Sequence, residues 1–269
     1  MHQDFDYIAG KNNCTGDYYF DYTESSPDGE FDLLIFADSR GYFLDAQSSS
    51  WAIRLFRSFK DAGKSAMVVV RPKDQTGLFT LFNFLEFSGL KFKYAVCQIG
   101  LVEFFPKSND YIQDLLVQKK PLFPNQELVR KALGKSLVMK KNPEDGQSIA
   151  EYEDLSSMDI DVPELKSTFV SLFEKHFRYV LLLGALELDP NTKFTRIRPK
   201  SFFDQIRLSN RFLKALGDNS RSVHYVELQK GWMEDCSWLV HDGAHYTANS
   251  HLNICETAKL LLMANVPGW

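Results

Sequence analysis

A short run of apolar residues, followed at once by polar ones, constrains the fold of this chain more than any other feature. Residues 33–36 read LLIF, and residues 37–41 read ADSRG directly after them. A continuous apolar run of this kind, followed by a glycine, is typical of a strand buried on both faces of a parallel sheet. Residues just past the carboxyl end of such a strand lie where open α/β sheets bind ligands. Ser39 is therefore a candidate nucleophile or phosphate-binding hydroxyl, unless Asp38 and Ser39 only cap the following helix.

The remaining apolar segments alternate between strand and helix patterns along the chain. Strand patterns occur at 65–70, 91–99, 179–183 and 223–228, and helical patterns occur at 49–62, from 78 to about 87, from 162, at 201–216 and at 252–263. Strands that alternate with helices pair in parallel through right-handed crossovers. The sequence therefore predicts a three-layer α/β/α sandwich with a five-stranded parallel sheet in flavodoxin-like strand order.

Composition divides the chain into an arm, one domain and an insertion. Residues 1–30 are rich in Asp, Tyr, Asn and Ser and predict an irregular N-terminal arm or hairpin on the surface, whereas residues 31–269 predict a single α/β domain. Residues 104–177, after the third strand, predict a helical insertion in which the acidic stretch 151–161 is a mobile linker. The insertion starts at the sheet edge that carries Ser39, so we expect Phe104 and other apolar residues of the insertion to cover the site.

Charge, hydropathy and cysteine usage exclude several classes of function. The net charge is −4 and Lys and Arg form no run, which argues against a nucleic-acid partner. No apolar run is long enough to cross a bilayer, and the first thirty residues contain no signal-like segment. The four cysteines have no paired spacing and predict reduced thiols in a cytoplasmic protein: Cys14, Cys97, Cys236 and Cys255. No cofactor is predicted.

A second polar segment lies far downstream, just before the last helical pattern. Residues 240–251 read VHDGAHYTANSH, in which Asp242 stands three residues before His245. A serine box after the first strand, together with an Asp-x-x-His box before the last helix, resembles the SGNH (GDSL-like) hydrolase family. The first box of that family is usually Gly-Asp-Ser, and residues 37–39 here read ADS. Gly77 lies where the family's second box places a glycine of the oxyanion hole.

The resemblance implies an acyl-transfer site with three catalytic side chains. Ester cleavage needs an activated hydroxyl, a base, and donors for the oxyanion that forms. Ser39 would be the nucleophile and His245 the base, while Asp242 would hold the imidazole in the productive tautomer. The backbone N–H groups of Ser39 and Gly77 would stabilise the oxyanion. The family's third donor, an asparagine side chain, falls at Val102 in this chain.

Residues 98–106 (QIGLVEFFP) resemble a branch of SGNH-like proteins linked with bacterial surface-polysaccharide biosynthesis. That branch commonly has a Gly-Ile-Val-Asp-type phrase in place of Gly-x-Asn-Asp, and residues 100–103 here read GLVE. The resemblance implies a serine esterase or O-acyltransferase acting on O-acyl groups of a carbohydrate or glycan precursor. Gly100 and Glu103 are assigned to substrate binding. Arg40 either holds an anionic substrate group bidentately or pairs with an acid such as Glu103.

Three other interpretations use some of the same residues. His241 and His245 have a spacing that binds zinc on a helix, with Asp242 and His251 nearby, but Gly243 disfavours a helix there and no metal site is predicted. The missing asparagine would also fit a non-catalytic binding or assembly protein of polysaccharide biosynthesis. A transferase of a non-acyl group would use the same serine and histidine. In the catalytic interpretations the expected partner is a carbohydrate or an acylated small molecule.

Overall fold

The computed structural model describes residues 19–23, 29–41, 50–70, 77–104, 107–108, 127, 135–139, 152–159, 161–187, 200–228 and 245–266. In chain order, the strands are β1 (Tyr19–Tyr22), β2 (Glu30–Ala37), β3 (Ala66–Val70), β4 (Lys91–Gln98), β5 (Lys107–Ser108), β6 (Lys135–Met139), β7 (Tyr152–Ser157), β8 (Tyr179–Leu183) and β9 (Val223–Val226). The helices are α1 (Trp51–Asp61), α2 (Leu78–Ser88), α3 (Pro163–His176), α4 (Lys200–Asp218) and α5 (Ala248–Asn265).

The main sheet has the strand order β1-β3-β2-β4-β8-β9. Its last five strands in this order are parallel to one another, and only β1 runs antiparallel. When the parallel strands alone are numbered along the chain, their order is 2-1-3-4-5, which is the flavodoxin-like order. The predicted α/β sandwich with five parallel strands is therefore confirmed, and the sheet carries one additional strand.

The additional strand comes from the segment predicted to be an irregular arm. β1 pairs with β3, from Tyr19 opposite Val70 to Tyr22 opposite Met67. Without β1 the outer edge of β3 would present a row of unpaired N–H and C=O groups. Over these four residues the arm is therefore part of the sheet, and residues 1–18 lie outside the described part of the chain.

Helices cover both faces of the main sheet. Leu33 and Ile35 of β2 pack into the cluster that contains α1 and α5, whereas Leu34 and Phe36 pack into the cluster that contains α2, α3 and α4. Alternate residues of a strand point to opposite faces, so both sets of side chains are buried. This two-sided burial explains why the central strands read as continuous apolar runs in the sequence.

Aromatic rings fill the layer between the sheet and α2, α3 and α4. The Phe82 ring of α2 lies 5.5 Å from Phe169 and 4.8 Å from Phe173 of α3, measured between centroids. Phe104 lies in the same cluster, 5.8 Å from Phe212 of α4, and is only 1% exposed. Phe104 is thus a core residue, and the prediction that it covers the active site is wrong.

The insertion after β4 contains strands as well as helix. β5, β7 and β6 form a separate antiparallel sheet, in which Leu155 of β7 lies opposite Ser108 and Leu137. The predicted helix is present in α3, but the acidic stretch predicted as a mobile linker contains the central strand β7. Backbone pairing on both sides orders β7 although its composition offers little apolar surface. The Met158 N–H donates to the Glu103 carbonyl at 2.9 Å. This hydrogen bond brings the residue after β7 back to the point where the insertion begins.

Two of the four cysteines lie in the described part of the chain. Cys97 and Cys255 are buried free thiols, and burial raises the pKa of both, that of Cys255 to about 11. Thiols with raised pKa values form little thiolate and are poor nucleophiles, so neither of these two described cysteines is a good candidate nucleophile. Cys14 and Cys236 lie outside the described residues. None of the helices described above is long and apolar enough to span a bilayer.

The substitution Phe82→Ala is expected to lower the free energy of unfolding by about 3–5 kcal/mol, because it leaves a cavity between α2 and α3. The matched control is Leu260→Ala on α5, where the side chain is 64% exposed and the expected change is below about 0.5 kcal/mol. Urea unfolding followed by circular dichroism measures both variants. Similar losses in the two variants would contradict the importance of the aromatic layer.

Candidate active site

Two turns open onto the crevice where the strand order of the sheet reverses. The chain passes from β2 to β3 on one side of the sheet and later enters β4 on the other side. Such a reversal leaves a crevice at the carboxyl edge, where α/β folds bind ligands. The 3₁₀ turn Ser39–Gly41 follows β2, and the 3₁₀ turn Val102–Phe104 follows β4. The Asp38 N–H joins the two strand ends by donating to the Gln98 carbonyl at 3.0 Å.

The two residues beside Ser39 form an ion pair with each other. Arg40 donates from Nε to Asp38 Oδ1 at 2.9 Å and from Nη2 to Oδ2 at 2.7 Å, and its backbone N–H donates to Oδ1 at 2.9 Å. Both residues are 3% exposed. Burial alone would lower the pKa of Arg40, but the adjacent Asp38 carboxylate outweighs it and raises that pKa. The bidentate geometry of the pair compensates for the hydration that the two groups lose on burial.

This ion pair determines how Ser39 is presented. Asp38, Arg40 and Gly41 are buried, and Ser39 is the one residue of this four-residue segment that is not. Because the residues on both sides are held by hydrogen bonds, the turn that carries the serine has little freedom to rotate. Ala37 stands where the family usually has glycine, but no described non-glycine residue has a positive φ, so alanine fits there without strain.

Glu103 caps helix α2 from the neighbouring turn. The Leu78 N–H donates to Glu103 Oε1, and the Phe79 N–H also favours the carboxylate. A Cβ atom at Gly77 would collide with this carboxyl group, so the close approach requires glycine at that position. Burial raises the pKa of Glu103 to about 7, against the opposing effect of these backbone donors, and the nearby Asp38 adds to the increase.

Gly100 has a different reason to be glycine. Its φ is +95°, in the region that side chains other than glycine rarely adopt, and a Cβ there would also lie 3.0 Å from the Leu213 side chain of α4. The turn after β4 can therefore bend under the end of the sheet and bring Glu103 to Gly77. The observed role of Gly100 is conformational, and a direct contact with substrate stays a prediction.

A buried glutamine connects the end of β4 to three other segments. Trp51 Nε1 donates to Gln98 Oε1 at 2.9 Å, and Gln98 Nε2 donates to the Tyr246 hydroxyl at 2.8 Å and to the Gly184 carbonyl at 3.2 Å. Burial raises the pKa of Tyr246 to about 12, although the nearby Arg40 guanidinium acts in the opposite direction. Tyr246 thus lies between Gln98 and the ion pair beside Ser39.

The histidine predicted as the base is the sequence neighbour of Tyr246, which belongs to this network. His245 is half-buried and immediately precedes Tyr246, whose hydroxyl group contacts Gln98 at this sheet edge. It lies near His251, whose pKa falls to about 4 because of burial and, to a lesser extent, the nearby charges of His245 and Arg54. His251 Nδ1 accepts the Trp51 N–H of helix α1 at 3.2 Å. His251 therefore serves as a neutral cap, which is a different role from the zinc ligand considered for the sequence.

The described structure brings five of the predicted site residues to one edge of the sheet. Ser39, Arg40, Gly77, Gly100 and Glu103 lie on neighbouring turns, and His245 is connected to them through Tyr246. Arg40 pairs with Asp38 rather than with Glu103, which attracts it only at longer range. Asp242 and His241 lie outside the described residues, so the contact between Asp242 and His245 stays a prediction.

Sequence reasoning missed the structural roles of four polar residues that organise this edge. Gln98, Tyr246 and His251 are described above, and Asn210 of α4 exchanges two hydrogen bonds of 2.8 Å with the backbone of Ala185 after β8. Of the four, only Gln98 interrupts an apolar run, residues 94–101 (YAVCQIGL). That is the signal that could have identified it, because buried polar groups need partners. Their partners are far away in sequence, so the pairing itself could not be predicted.

Comparisons with known proteins give similarity of fold at low sequence identity. No model of a known protein family matches the sequence, and no curated protein matches it. The crystal structure of TesA is 17% identical, with a TM-score of 0.49, and the match covers 87% of this chain and 98% of TesA. For Axe2, an acetylxylan esterase from Geobacillus stearothermophilus, the values are 13% identity, a TM-score of 0.47, and coverage of 89% and 94%.

A third similar structure is that of LAE5, an alpha/beta hydrolase enzyme from the metagenome of Lake Arreo, Spain. It is 14% identical with a TM-score of 0.46, and the match covers 90% of this chain and 96% of LAE5. In all three cases the similarity extends over most of the chain, but at these values it assigns no residue a role. The description of the site therefore rests on the contacts within this chain.

The substitution Arg40→Met is expected to cost about 3–5 kcal/mol of unfolding free energy, because it leaves the buried Asp38 carboxylate without its counter-charge. The double variant Asp38→Asn/Arg40→Met should lose less, since asparagine is neutral and can still accept the backbone N–H. Lys214→Met is the control, because it breaks the exposed Lys214–Asp218 pair and should change stability by less than about 0.5 kcal/mol. Denaturant unfolding at pH 7 measures all three. Equal losses in the single and double variants would contradict the electrostatic explanation.

The stability of the protein should depend on pH through Glu103. Its pKa is raised from 4.5 to about 7 in the folded state, so folding favours the protonated form, and the stability that protonation adds is lost as the pH rises from about 4.5 to about 7. The substitution Glu103→Gln removes this dependence. The stability of the variant relative to wild type should therefore increase by roughly 3 kcal/mol between these pH values.

The control for this measurement is Glu86→Gln at the other end of the same helix. Hydrogen bonds from Lys175, and to a lesser extent from His176, lower the pKa of Glu86. Its stabilising contribution is present above its unfolded pKa of about 4.5 and is lost as the pH falls through its folded value. In thermal melts across the pH range, the stability of Glu103→Gln relative to wild type should therefore change above about pH 4.5. The stability of Glu86→Gln relative to wild type should change below that pH. A flat difference curve for Glu103→Gln would show that this carboxyl titrates normally.

Proposed function

We propose that the protein is a serine esterase or O-acyltransferase that acts on O-acyl groups of a carbohydrate or glycan precursor. One observation carries the proposal. The Asp38–Arg40 pair holds Ser39 partly exposed at the crevice, and the neighbour of His245 is hydrogen-bonded to Gln98 at the end of the adjacent strand. A hydroxyl and an imidazole at one edge would be the two groups that nucleophilic acyl transfer needs first.

In the proposed reaction, Ser39 Oγ attacks the carbonyl carbon of the ester and its proton passes to His245. Asp242 keeps the imidazole in the tautomer that can accept this proton and stabilises the imidazolium that forms. The ester C–O bond then breaks, and His245 returns the proton to the departing alcohol. Attack by water or by an acceptor hydroxyl on the acyl-serine repeats these steps and releases the enzyme. Backbone N–H groups of Ser39 and Gly77 would bind the oxyanion.

The residue type at position 102 bears on the choice between hydrolysis and transfer. A valine cannot supply the side-chain donor that the family has there, and loss of one such donor costs about 3 kcal/mol of transition-state stabilisation. We therefore infer weak hydrolysis of simple esters. Transfer to a bound acceptor hydroxyl suits a weak hydrolase, because positioning the acceptor replaces part of the missing stabilisation.

The substrate class rests on the resemblance of residues 98–106 to the polysaccharide branch, and a cytoplasmic location would supply a glycan precursor before export. Arg40 and Glu103 were assigned to substrate binding, but both side chains are buried and contact protein groups. The proposal therefore gives them a supporting role in the site. Substrate contacts would come from backbone groups of the turns and from side chains that approach the half-buried Ser39.

A non-catalytic binding or assembly protein is the second candidate, and valine at position 102 is the observation that favours it. Such a protein would keep the crevice and its buried network but would not need an activated serine. A transferase of a non-acyl group would keep the activated serine and differ in the group that it accepts. Reactivity of Ser39 therefore separates the first two candidates, and the group transferred separates the first from the third.

Reaction with a fluorophosphonate probe tests the proposed nucleophile. The wild-type protein should be labelled once, at Ser39, and both Ser39→Ala and His245→Ala should abolish the labelling. Asp242→Ala should slow it less, because the aspartate orients the base without taking the proton. Intact-protein mass spectrometry and peptide mapping measure the extent and the site.

His224→Ala is the matched control for loss of a histidine, since His224 is half-buried on the edge strand β9 and stacks on Tyr179. It should leave the labelling rate unchanged. An unlabelled wild-type protein would favour the binding-protein candidate. Labelling that survives His245→Ala would mean that a different base serves Ser39.

A further inference from the structure

Glu103 connects two parts of the molecule through two different groups. Its side-chain Oε1 accepts the Leu78 N–H at the start of helix α2. Its backbone carbonyl accepts the Met158 N–H at 2.9 Å, at the point where the chain returns from β7. Glu103 therefore contacts both the start of helix α2, at Gly77 and Leu78, and the residue that follows β7 of the insertion, Met158.

The start of helix α2 depends on this distant residue. Its N-cap position is Gly77, which has no side chain and makes no capping hydrogen bond of its own. The cap is supplied by a carboxyl group 25 residues further along the chain. A side chain at Gly77 would occupy the space that this carboxyl group fills. The conformation of Gly77 and Leu78 is thus set by where Glu103 lies.

The turn that carries Glu103 has little internal freedom. The Phe104 N–H donates to the Leu101 carbonyl at 3.1 Å, and the buried Phe104 ring packs on Phe212. Gly100 at one end of the turn has a conformation that requires glycine. Bending within the turn is therefore restricted, so a movement of the Glu103 backbone at its contact with Met158 would also move the carboxyl group against Gly77.

From these contacts we infer that Glu103 is a positioning residue that couples the insertion to the backbone donor at Gly77. The inference rests on the proposed function only for the role of Gly77 as an oxyanion donor. The coupling itself is a mechanical property of the described residues. Movement of the insertion, such as that caused by an acceptor bound against it, would change the position of the Gly77 N–H. A displacement of about 1 Å at a catalytic group costs on the order of a hundredfold in rate.

Three substitutions of Glu103 separate the reach of its side chain from its charge. Glu103→Gln keeps an oxygen at the same reach and removes the ionisable group. Glu103→Asp keeps the ionisable group but withdraws it by one methylene from Leu78. Glu103→Ala removes both. Glu86→Gln is the matched control, because Glu86 lies on the same helix and bonds to Lys175 and His176 at its other end.

Hydrogen exchange measured by mass spectrometry is the primary readout, because it does not require activity. Glu103→Ala and Glu103→Asp should increase exchange at least tenfold in peptides covering 77–82 and also in peptides covering 152–159. Glu103→Gln and Glu86→Gln should leave both peptides as in wild type. The rate of fluorophosphonate labelling at Ser39 should fall tenfold or more in the first two variants and stay within about threefold of wild type in the other two.

Faster exchange at 77–82 with unchanged exchange at 152–159 would overturn the coupling. Wild-type exchange of both peptides in Glu103→Ala and Glu103→Asp would overturn the positioning role as a whole. Unchanged labelling in a variant whose 77–82 segment has loosened would overturn the link to Gly77 as a donor. Failure of the proposed function would show separately, as the absence of Ser39 labelling in wild type. In that case the hydrogen-exchange results by themselves still test the coupling. If Glu103→Ala does not fold, the comparison of Glu103→Asp with Glu103→Gln carries the same test.

Discussion

A buried ion pair at the end of β2 is the interaction on which the rest of the site depends. Asp38 and Arg40 are on either side of Ser39 and are both withdrawn from solvent, so the chain must turn sharply to bring their side chains together. Charges in such a position are stable only when each is well paired. The cost of breaking the pair therefore keeps the serine turn in one conformation. Because the pair is held in one conformation, neighbouring polar residues such as Tyr246 can make defined contacts with it.

The fold was largely predictable because the central strands are buried on both faces. Five consecutive apolar residues in β3 and in β8 leave no polar pattern that could be mistaken for a helix or a loop. The parallel sheet followed from the alternation with helices and from the handedness of crossovers. The two segments that were misjudged are β1, a short aromatic stretch within a polar arm, and β7, which is mostly polar and acidic. Pairing with a neighbouring strand orders them, and composition does not report on a partner.

The candidate site was predictable by position but not by interaction. A serine after the first parallel strand must lie at the crevice, because the topology of the sheet leaves it no other place. The function of Arg40 could not be deduced, since a guanidinium next to a candidate nucleophile suits a substrate anion as well as a buried carboxylate. Trp51 and His251 are 200 residues apart, yet share a hydrogen bond. Nothing in the local sequence of either residue indicates such a contact.

The contact between Gly77 and Glu103 restricts which substitutions the chain can accept. No larger residue fits at position 77 while the carboxyl group lies there, and a shorter residue at position 103 would open space beside position 77. Neither change is favourable by itself, but the two together could be tolerated. The two positions should therefore vary as a pair among natural relatives, and a designer who wishes to reshape this edge of the crevice must replace both at once.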